Sequence, residues 1–141
     1  MSDQSYAGDV SPNQAWKILE GDSAAVLVDC RTDAEWTWVG LPDLSALGRK
    51  PVCVAWQNYP EMALNEAFEA ELTRQGVSKE QTLLLLCRSG QRSRHAAIAL
   101  TAAGYRCCYN VADGFEGPCD EARHRGCDTG WKASGLPWVQ G

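Results

Sequence analysis

Long apolar runs and an excess of positive charge are both missing from this sequence. No stretch approaches the roughly 20 apolar residues that a membrane-spanning helix needs, so no membrane segment is predicted. Lysine and arginine together number 13 against 18 aspartates and glutamates, which gives a net charge of −5. Because phosphate-rich partners require a basic face, this balance argues against a nucleic-acid or anionic-membrane surface. A small basic pocket remains compatible with it.

The N-terminus also lacks a secretory signal. Residues 1–10 are polar, include Asp3 and Asp9, and show no basic segment followed by an apolar one. We therefore expect a cytoplasmic protein whose residues 1–10 form a flexible tail. In a reducing compartment the seven cysteines should mostly be free thiols, and an ordinary one is a small buried hydrophobic residue.

Short apolar segments alternate with segments of helical spacing along the whole chain. The 141 residues fit a single domain, 1–141, without repeats or linkers. The pattern predicts strands at 25–29, 51–56, 82–86 and 105–111, helices at 12–21, 61–75 and 93–103, and a last helical turn at 131–134. This alternation predicts an α/β fold with a parallel sheet covered by helices. Sites in such sheets form where strands end, here after residues 29 and 86.

The segment 87–93 combines a cysteine with features that favour an anion. It lies between the most apolar predicted strand and a helix, so backbone N–H groups and the helix dipole converge there. Arg88 and Arg92 add charge, and Gly90 permits a tight turn. Helix starts and cations favour the thiolate form of a cysteine, so Cys87 is predicted to be a reactive nucleophile. The candidate anion-binding residues are Arg88, Ser89, Gly90, Gln91 and Arg92.

The sequence CRSGQRS of this segment resembles the active loop of rhodanese-like sulfurtransferases. VLVDCR at 26–31, DGFEG at 113–117 and GWKASGLP at 130–137 are similar to other motifs of that family, although the family's Gly-His stretch after Glu35 is absent. The resemblance implies a three-layer fold around a mainly parallel five-stranded sheet. It also implies that Cys87 accepts a sulfane sulfur as a persulfide and passes it on. We expect a small donor such as thiosulfate, a thiol or cyanide acceptor (protein thiols included), no nucleic acid, no membrane and no cofactor.

Several residues outside this loop have two interpretations. Asp29 and Arg31 flank Cys30 at a strand end, where a buried structural ion pair is favoured over a direct role in positioning the loop. With Ser93 they are taken as supporting residues. Cys119, His124 and Cys127 have unusual spacing and lack a fourth zinc ligand, so no metal is predicted. A redox role for Cys119 or Cys127 stays open.

Two other functions remain as alternatives to sulfur transfer. Cysteine phosphatases place five residues between their cysteine and arginine, whereas four separate Cys87 from Arg92. The shorter loop has less room for phosphate and favours a sulfur atom on the thiol. A cysteine-based phosphatase or arsenate reductase stays open, as does a non-catalytic rhodanese-like binding module. A cysteine within a basic loop argues against the binding module.

Overall fold

The computed structural model of the protein describes residues 6–31, 36, 40–58, 63–65, 67–88, 90–112, 114–115, 131, 134 and 136–139. Its strands are β1 (Gly8–Val10), β2 (Val26–Asp29), β3 (Leu41–Pro42), β4 (Val52–Cys53), β5 (Gln57–Asn58), β6 (Ala63–Leu64), β7 (Thr82–Leu86), β8 (Cys107–Val111) and β9 (Trp138–Val139). Its longer helices are α1 (Pro12–Gly21), α2 (Phe68–Arg74) and α3 (Gln91–Ala102). None of the helices in these ranges is long and apolar enough to cross a membrane.

Five strands form one parallel sheet in the order β1-β8-β7-β2-β4. The central strand β7 is apolar on both faces because both faces are covered. Leu83 and Leu85 pack in one core with residues of α2 and α3. Leu84 and Leu86 pack in a second core with residues of α1. The predicted three-layer α/β fold with a five-stranded parallel sheet is thereby confirmed.

Local sequence signals explain the first helix well. Ser11 caps α1 by accepting a hydrogen bond from the backbone N–H of Gln14, whose side chain accepts from the N–H of Ser11 in return. Pro12 occupies the first turn, where a missing N–H costs nothing. The helix ends at Gly21, as predicted from its sequence.

The predicted helix over 61–75 is wrong in its first half. Ala63–Leu64 pair with β5 in an antiparallel hairpin, and α2 begins only at Phe68. Asn65 causes the break, because its side chain donates to the carbonyl of Ala55 and accepts from the N–H of Ala67. Asparagine readily bonds nearby backbone in this way, at the expense of a helix interior.

Other bounds also differ from the sequence prediction. Gly8–Val10 form edge strand β1 beside β8, so a flexible tail over residues 1–10 is wrong for these three positions. The predicted strand 51–56 forms a strand only at Val52–Cys53. Helix α3 starts at Gln91, two residues earlier than predicted. Strand β9, unpredicted, pairs with β3. Two of the four residues of the predicted last helical turn at 131–134, residues 132 and 133, lie outside the described residues.

Candidate active site

Cys87 is the first residue after central strand β7 and is only 1% exposed. The parallel register pairs Asp29 with Leu86, so the ends of β2 and β7 lie side by side. The pairing continues for one more residue, because the N–H of Cys30 donates to the carbonyl of Leu86 at 2.8 Å. The two strand ends that the sequence singled out are therefore neighbours at one edge of the sheet.

The sulfur of Cys87 lies against the start of helix α3. The backbone N–H of Gly90 donates to Sγ at 3.1 Å, and the Ser93 hydroxyl lies 3.2 Å from the same atom. Gly90 adopts φ +105°, a left-handed conformation that favours glycine and turns its N–H toward the sulfur. The positive end of the α3 dipole acts at the same position. The geometry thus supplies donors for a negatively charged sulfur.

The two loop arginines differ in exposure. Arg88 is exposed, whereas Arg92 is half-buried in the first turn of α3. Burial raises the pKa of the nearby Cys30 thiol, and the Arg92 guanidinium is close enough to offset part of that rise. Of the other predicted anion-binding residues, Ser89 lies outside the described residues, and Gln91 is described by its backbone, which begins α3.

Cys30 lies beside Cys87 but has a different environment. Its thiol donates to the carbonyl of Leu86 at 3.2 Å, and the residue is fully buried. Burial raises the pKa of Cys30 well above its ordinary value, and the neighbouring Cys87 and Asp29 raise it further. Cys30 therefore stays protonated at neutral pH, which leaves Cys87 as the candidate nucleophile at this edge of the sheet.

Asp29 and Arg31 form a buried, two-pronged ion pair next to the loop. Nε and Nη2 of Arg31 donate to the Asp29 carboxylate at 2.9 and 2.7 Å, and both side chains are 0% exposed. Nη2 also donates to the carbonyl of Gly40, and the guanidinium lies 4.3 Å from the centre of the Phe115 ring. Since the N–H of Phe115 donates to the carbonyl of Cys87 at 2.8 Å, the ion pair supports the active loop through Phe115.

Gly114 makes a close contact with the active loop that the sequence analysis did not identify. A Cβ atom at this position would lie 2.7 Å from the carbonyl carbon of Arg88 and would collide with the carbonyl oxygen of Cys87. Its φ of +61° is also left-handed. The sequence identifies DGFEG only as a motif similar to one of the family, whereas the structure shows that Gly114 allows this segment to pack against the backbone that carries the thiol.

Gly114→Ala should destabilise the protein more than Gly48→Ala, a matched control. Gly48 has a similar φ of +70°, but a Cβ there meets open space. Both variants should lose about 1–2 kcal/mol from the left-handed conformation. Gly114→Ala should lose a further ~1–3 kcal/mol because the loop backbone must move. Urea unfolding of the two variants tests this, and equal losses would show that the contact with the loop is unimportant.

A parallel sheet whose central strand leads into a buried cysteine and a helix start defines a rhodanese-like domain, and the predicted resemblance is confirmed. Residues 7–141 match the family described as the STR4 middle domain, so the chain belongs to that family.

Three similar proteins have nearly the same length as this chain. Rv0390 from M. tuberculosis is 51% identical, and its crystal structure superposes with a TM-score of 0.88 over 96% of this chain and 99% of that one. A protein of Rickettsia conorii is 38% identical over 130 residues, which are 92% of this chain and 94% of that protein. Thiosulfate sulfurtransferase GlpE of Actinobacillus pleuropneumoniae is 26% identical over 132 residues, 92% of this chain and 90% of GlpE.

The sequence analysis predicted that the group of Cys119, His124 and Cys127 holds no metal ion. Cys119, His124 and Cys127 lie outside the described residues, so their possible roles stay open. Within the part of the chain that the structure does describe, no three His, Cys, Asp or Glu side chains are grouped so that they could hold a metal ion.

Proposed function

We propose that this protein is a sulfurtransferase that carries a sulfane sulfur as a persulfide on Cys87. The observation that carries the proposal is the position of Sγ, which receives the N–H of Gly90 at the start of α3. Membership of a rhodanese-like family and similarity to a protein named thiosulfate sulfurtransferase support the same activity. Thiosulfate or a similar anion is the donor, and a thiol or cyanide is the acceptor.

The reaction divides into two displacements at sulfur. The Cys87 thiolate attacks the outer sulfur of thiosulfate, a new S–S bond forms, and sulfite leaves with the electron pair of the broken S–S bond. The acceptor, a thiolate or cyanide, then attacks the outer sulfur of the persulfide. Cys87 leaves as a thiolate with the electrons of the second broken bond. No net oxidant or reductant is required.

The residues around the sulfur have distinct roles in this proposal. The Gly90 N–H and the start of α3 stabilise negative charge on the thiolate and on the persulfide. Half-buried Arg92 and exposed Arg88 bind the anionic donor, together with the loop backbone at Ser89 and Gln91. A charge-assisted hydrogen bond of this kind contributes about 1.5–3 kcal/mol. Asp29 and Arg31 act indirectly, since they hold the backbone of the loop through Phe115.

The chemistry also points to the surroundings in which the protein works. A persulfide carrier needs its cysteine as a thiol before each loading, and none of the five described cysteines forms a disulfide: Cys30, Cys53, Cys87, Cys107 and Cys108. We propose a reducing compartment, the cytoplasm, and a small-molecule or protein thiol as the natural acceptor. Neither a cofactor nor a nucleic acid takes part in the proposed reaction.

Intact-mass spectrometry after treatment with thiosulfate tests the proposal directly. One sulfur atom should add, an increase of about 32 Da, and peptide mapping should place it on Cys87. Subsequent cyanide should remove it. The internal control is Cys53, a half-buried thiol outside the loop that should stay unmodified. Sulfur found on Cys53 or Cys30 in place of Cys87, or no addition at all, would refute the assignment.

A further inference from the structure

A chain of close polar contacts leads from Cys87 to the surface through Ser93 and Asn110. The Ser93 hydroxyl lies 3.2 Å from Sγ of Cys87 and 2.6 Å from Oδ1 of Asn110. Nδ2 of Asn110 donates to Oδ1 of Asp9 at 3.0 Å. Ser93 and Asn110 are buried, whereas Asp9 is exposed on edge strand β1. The chain therefore spans α3, β8 and β1.

The number of available protons determines which group donates and which accepts in each of these contacts. An ionised carboxylate only accepts hydrogen bonds, so the amide nitrogen of Asn110 faces Asp9 and the amide oxygen faces Ser93. That oxygen cannot donate, so the single proton of the Ser93 hydroxyl lies in the 2.6 Å contact. Ser93 then presents its lone pairs to the sulfur, so that it can accept from a protonated Cys87 thiol but has no proton left to donate to a thiolate.

The thiolate form of Cys87 requires the opposite arrangement. Ser93 can donate to a charged sulfur only by turning its proton away from Asn110, which leaves two acceptor oxygens 2.6 Å apart with no hydrogen between them. A buried acceptor without its donor is unfavourable. The polar contacts through Ser93, Asn110 and Asp9 therefore favour the thiol form of Cys87. The N–H of Gly90, 3.1 Å from the sulfur, favours the thiolate form.

We infer that Asp9 and Asn110 are positioning residues that hold the Ser93 hydroxyl turned away from Cys87 and so restrain formation of the Cys87 thiolate. The inference rests on the proposed role of Cys87 as the nucleophile. The Asn110 amide does not release a proton at neutral pH. These contacts therefore orient the Ser93 hydroxyl and do not conduct protons. A cysteine with a smaller thiolate fraction is a poorer target for oxidants.

Other titratable and charged groups lie near Cys87 and near Asp9, the two ends of this series of polar contacts. They contribute to the pH dependence of the reactivity of Cys87. Near Cys87 they lie at the end of β2, in the loop and on α3; near Asp9 they lie before β1 and on α3. These groups are Cys30, Asp29, Arg31, Arg88, Arg92, Tyr6 and Arg94. Burial and the Asp9 carboxylate raise the pKa of Tyr6, whose hydroxyl donates to Asp9 at 2.9 Å. All of them are retained in the variants below.

Asn110→Ala tests the inference, because it removes the acceptor that competes with the sulfur for the Ser93 proton. The readout is the pH dependence of alkylation by iodoacetamide, followed by mass spectrometry on the Cys87 peptide. Below the midpoint of this profile, the variant should be alkylated about tenfold faster than the wild type, since Ser93 now donates to the thiolate. In a Ser93→Ala background, the same change should have less than about a twofold effect.

Asp9→Ala provides a second variant at an exposed position, where folding is preserved more easily. It releases the Asn110 amide and should also raise the alkylation rate, by a smaller factor. A simple effect of the Asp9 charge through space would persist in the Ser93→Ala background, whereas an effect on hydroxyl orientation would disappear there. The inference is overturned if neither variant changes the profile, or if either changes it equally with and without Ser93. Because alkylation needs no sulfur donor, this outcome is independent of whether Cys87 transfers sulfur.

Discussion

Replacing Cys87 by serine is expected to abolish the transfer of sulfur from thiosulfate to cyanide. Serine is nearly the same size and can keep the contacts to the Gly90 N–H and the Ser93 hydroxyl. Its hydroxyl, however, forms no comparable nucleophile at neutral pH and cannot carry a persulfide. The value of kcat/KM should fall by on the order of 10³-fold or more. Steady-state measurement of thiocyanate formation gives the result, and circular dichroism should show an unchanged fold.

The matched control for this experiment is Cys53→Ser. Cys53 also carries a thiol that forms no disulfide, is half-buried at the end of β4, and lies outside the loop. Its replacement should leave kcat/KM within about twofold of the wild type. If Cys87→Ser retained most of the activity, sulfur would be carried elsewhere. Robust hydrolysis of a phosphotyrosine substrate that disappears in Cys87→Ser would instead favour a cysteine phosphatase.

The second large effect concerns the stability of the protein. We expect Asp29→Ala to lower the free energy of unfolding by about 3–5 kcal/mol, because it leaves the Arg31 charge fully buried without its carboxylate. A domain of this kind is stable by only about 5–15 kcal/mol in total. The variant should therefore unfold at a much lower urea concentration at pH 7.

A surface ion pair and a double variant provide the comparison. The Arg74 side chain is 74% exposed and lies 3.7 Å from Glu71, so Arg74→Ala should cost less than about 1 kcal/mol. Replacing both buried partners, as Asp29→Leu with Arg31→Met, should recover much of the loss, since no buried charge then remains. A cost for Asp29→Ala as small as that for Arg74→Ala would mean that the pair does not support the fold.

Elements with strong local signals could be predicted from the sequence. The continuous apolar run of β7 and the Ser11–Pro12 start of α1 matched the structure, because each depends on neighbouring residues alone. The hairpin of β5 and β6 was missed because Asn65 bonds to the backbone of Ala55, ten residues earlier. A polar three-residue strand such as β1 has no periodic signal, and its place in the sheet depends on β8.

In the candidate active site, too, features that depend on neighbouring residues could be predicted, and features that depend on distant residues could not. The positions of Cys87, Gly90 and Ser93 follow from one short motif, so the sequence could identify them together. The contact of Gly114 with the loop backbone, and the approach of Asn110 to Ser93, join segments that are well separated in the sequence. Their exact neighbours are set by the register of the sheet, which one sequence does not reveal.

The pairing of β1 with β8 has a consequence for the order of folding during synthesis. Gly8 pairs with Tyr109, so the first strand of this sheet to be synthesised must wait for a partner 101 residues later in the chain. Contacts with short sequence separation, such as those between β7 and α3, close smaller loops and form at lower entropic cost. The nascent chain can therefore assemble the loop that carries Cys87 before Asp9 meets Asn110. A polypeptide stalled before β8 would present the Cys87 thiol beside a Ser93 hydroxyl that Asn110 does not yet orient.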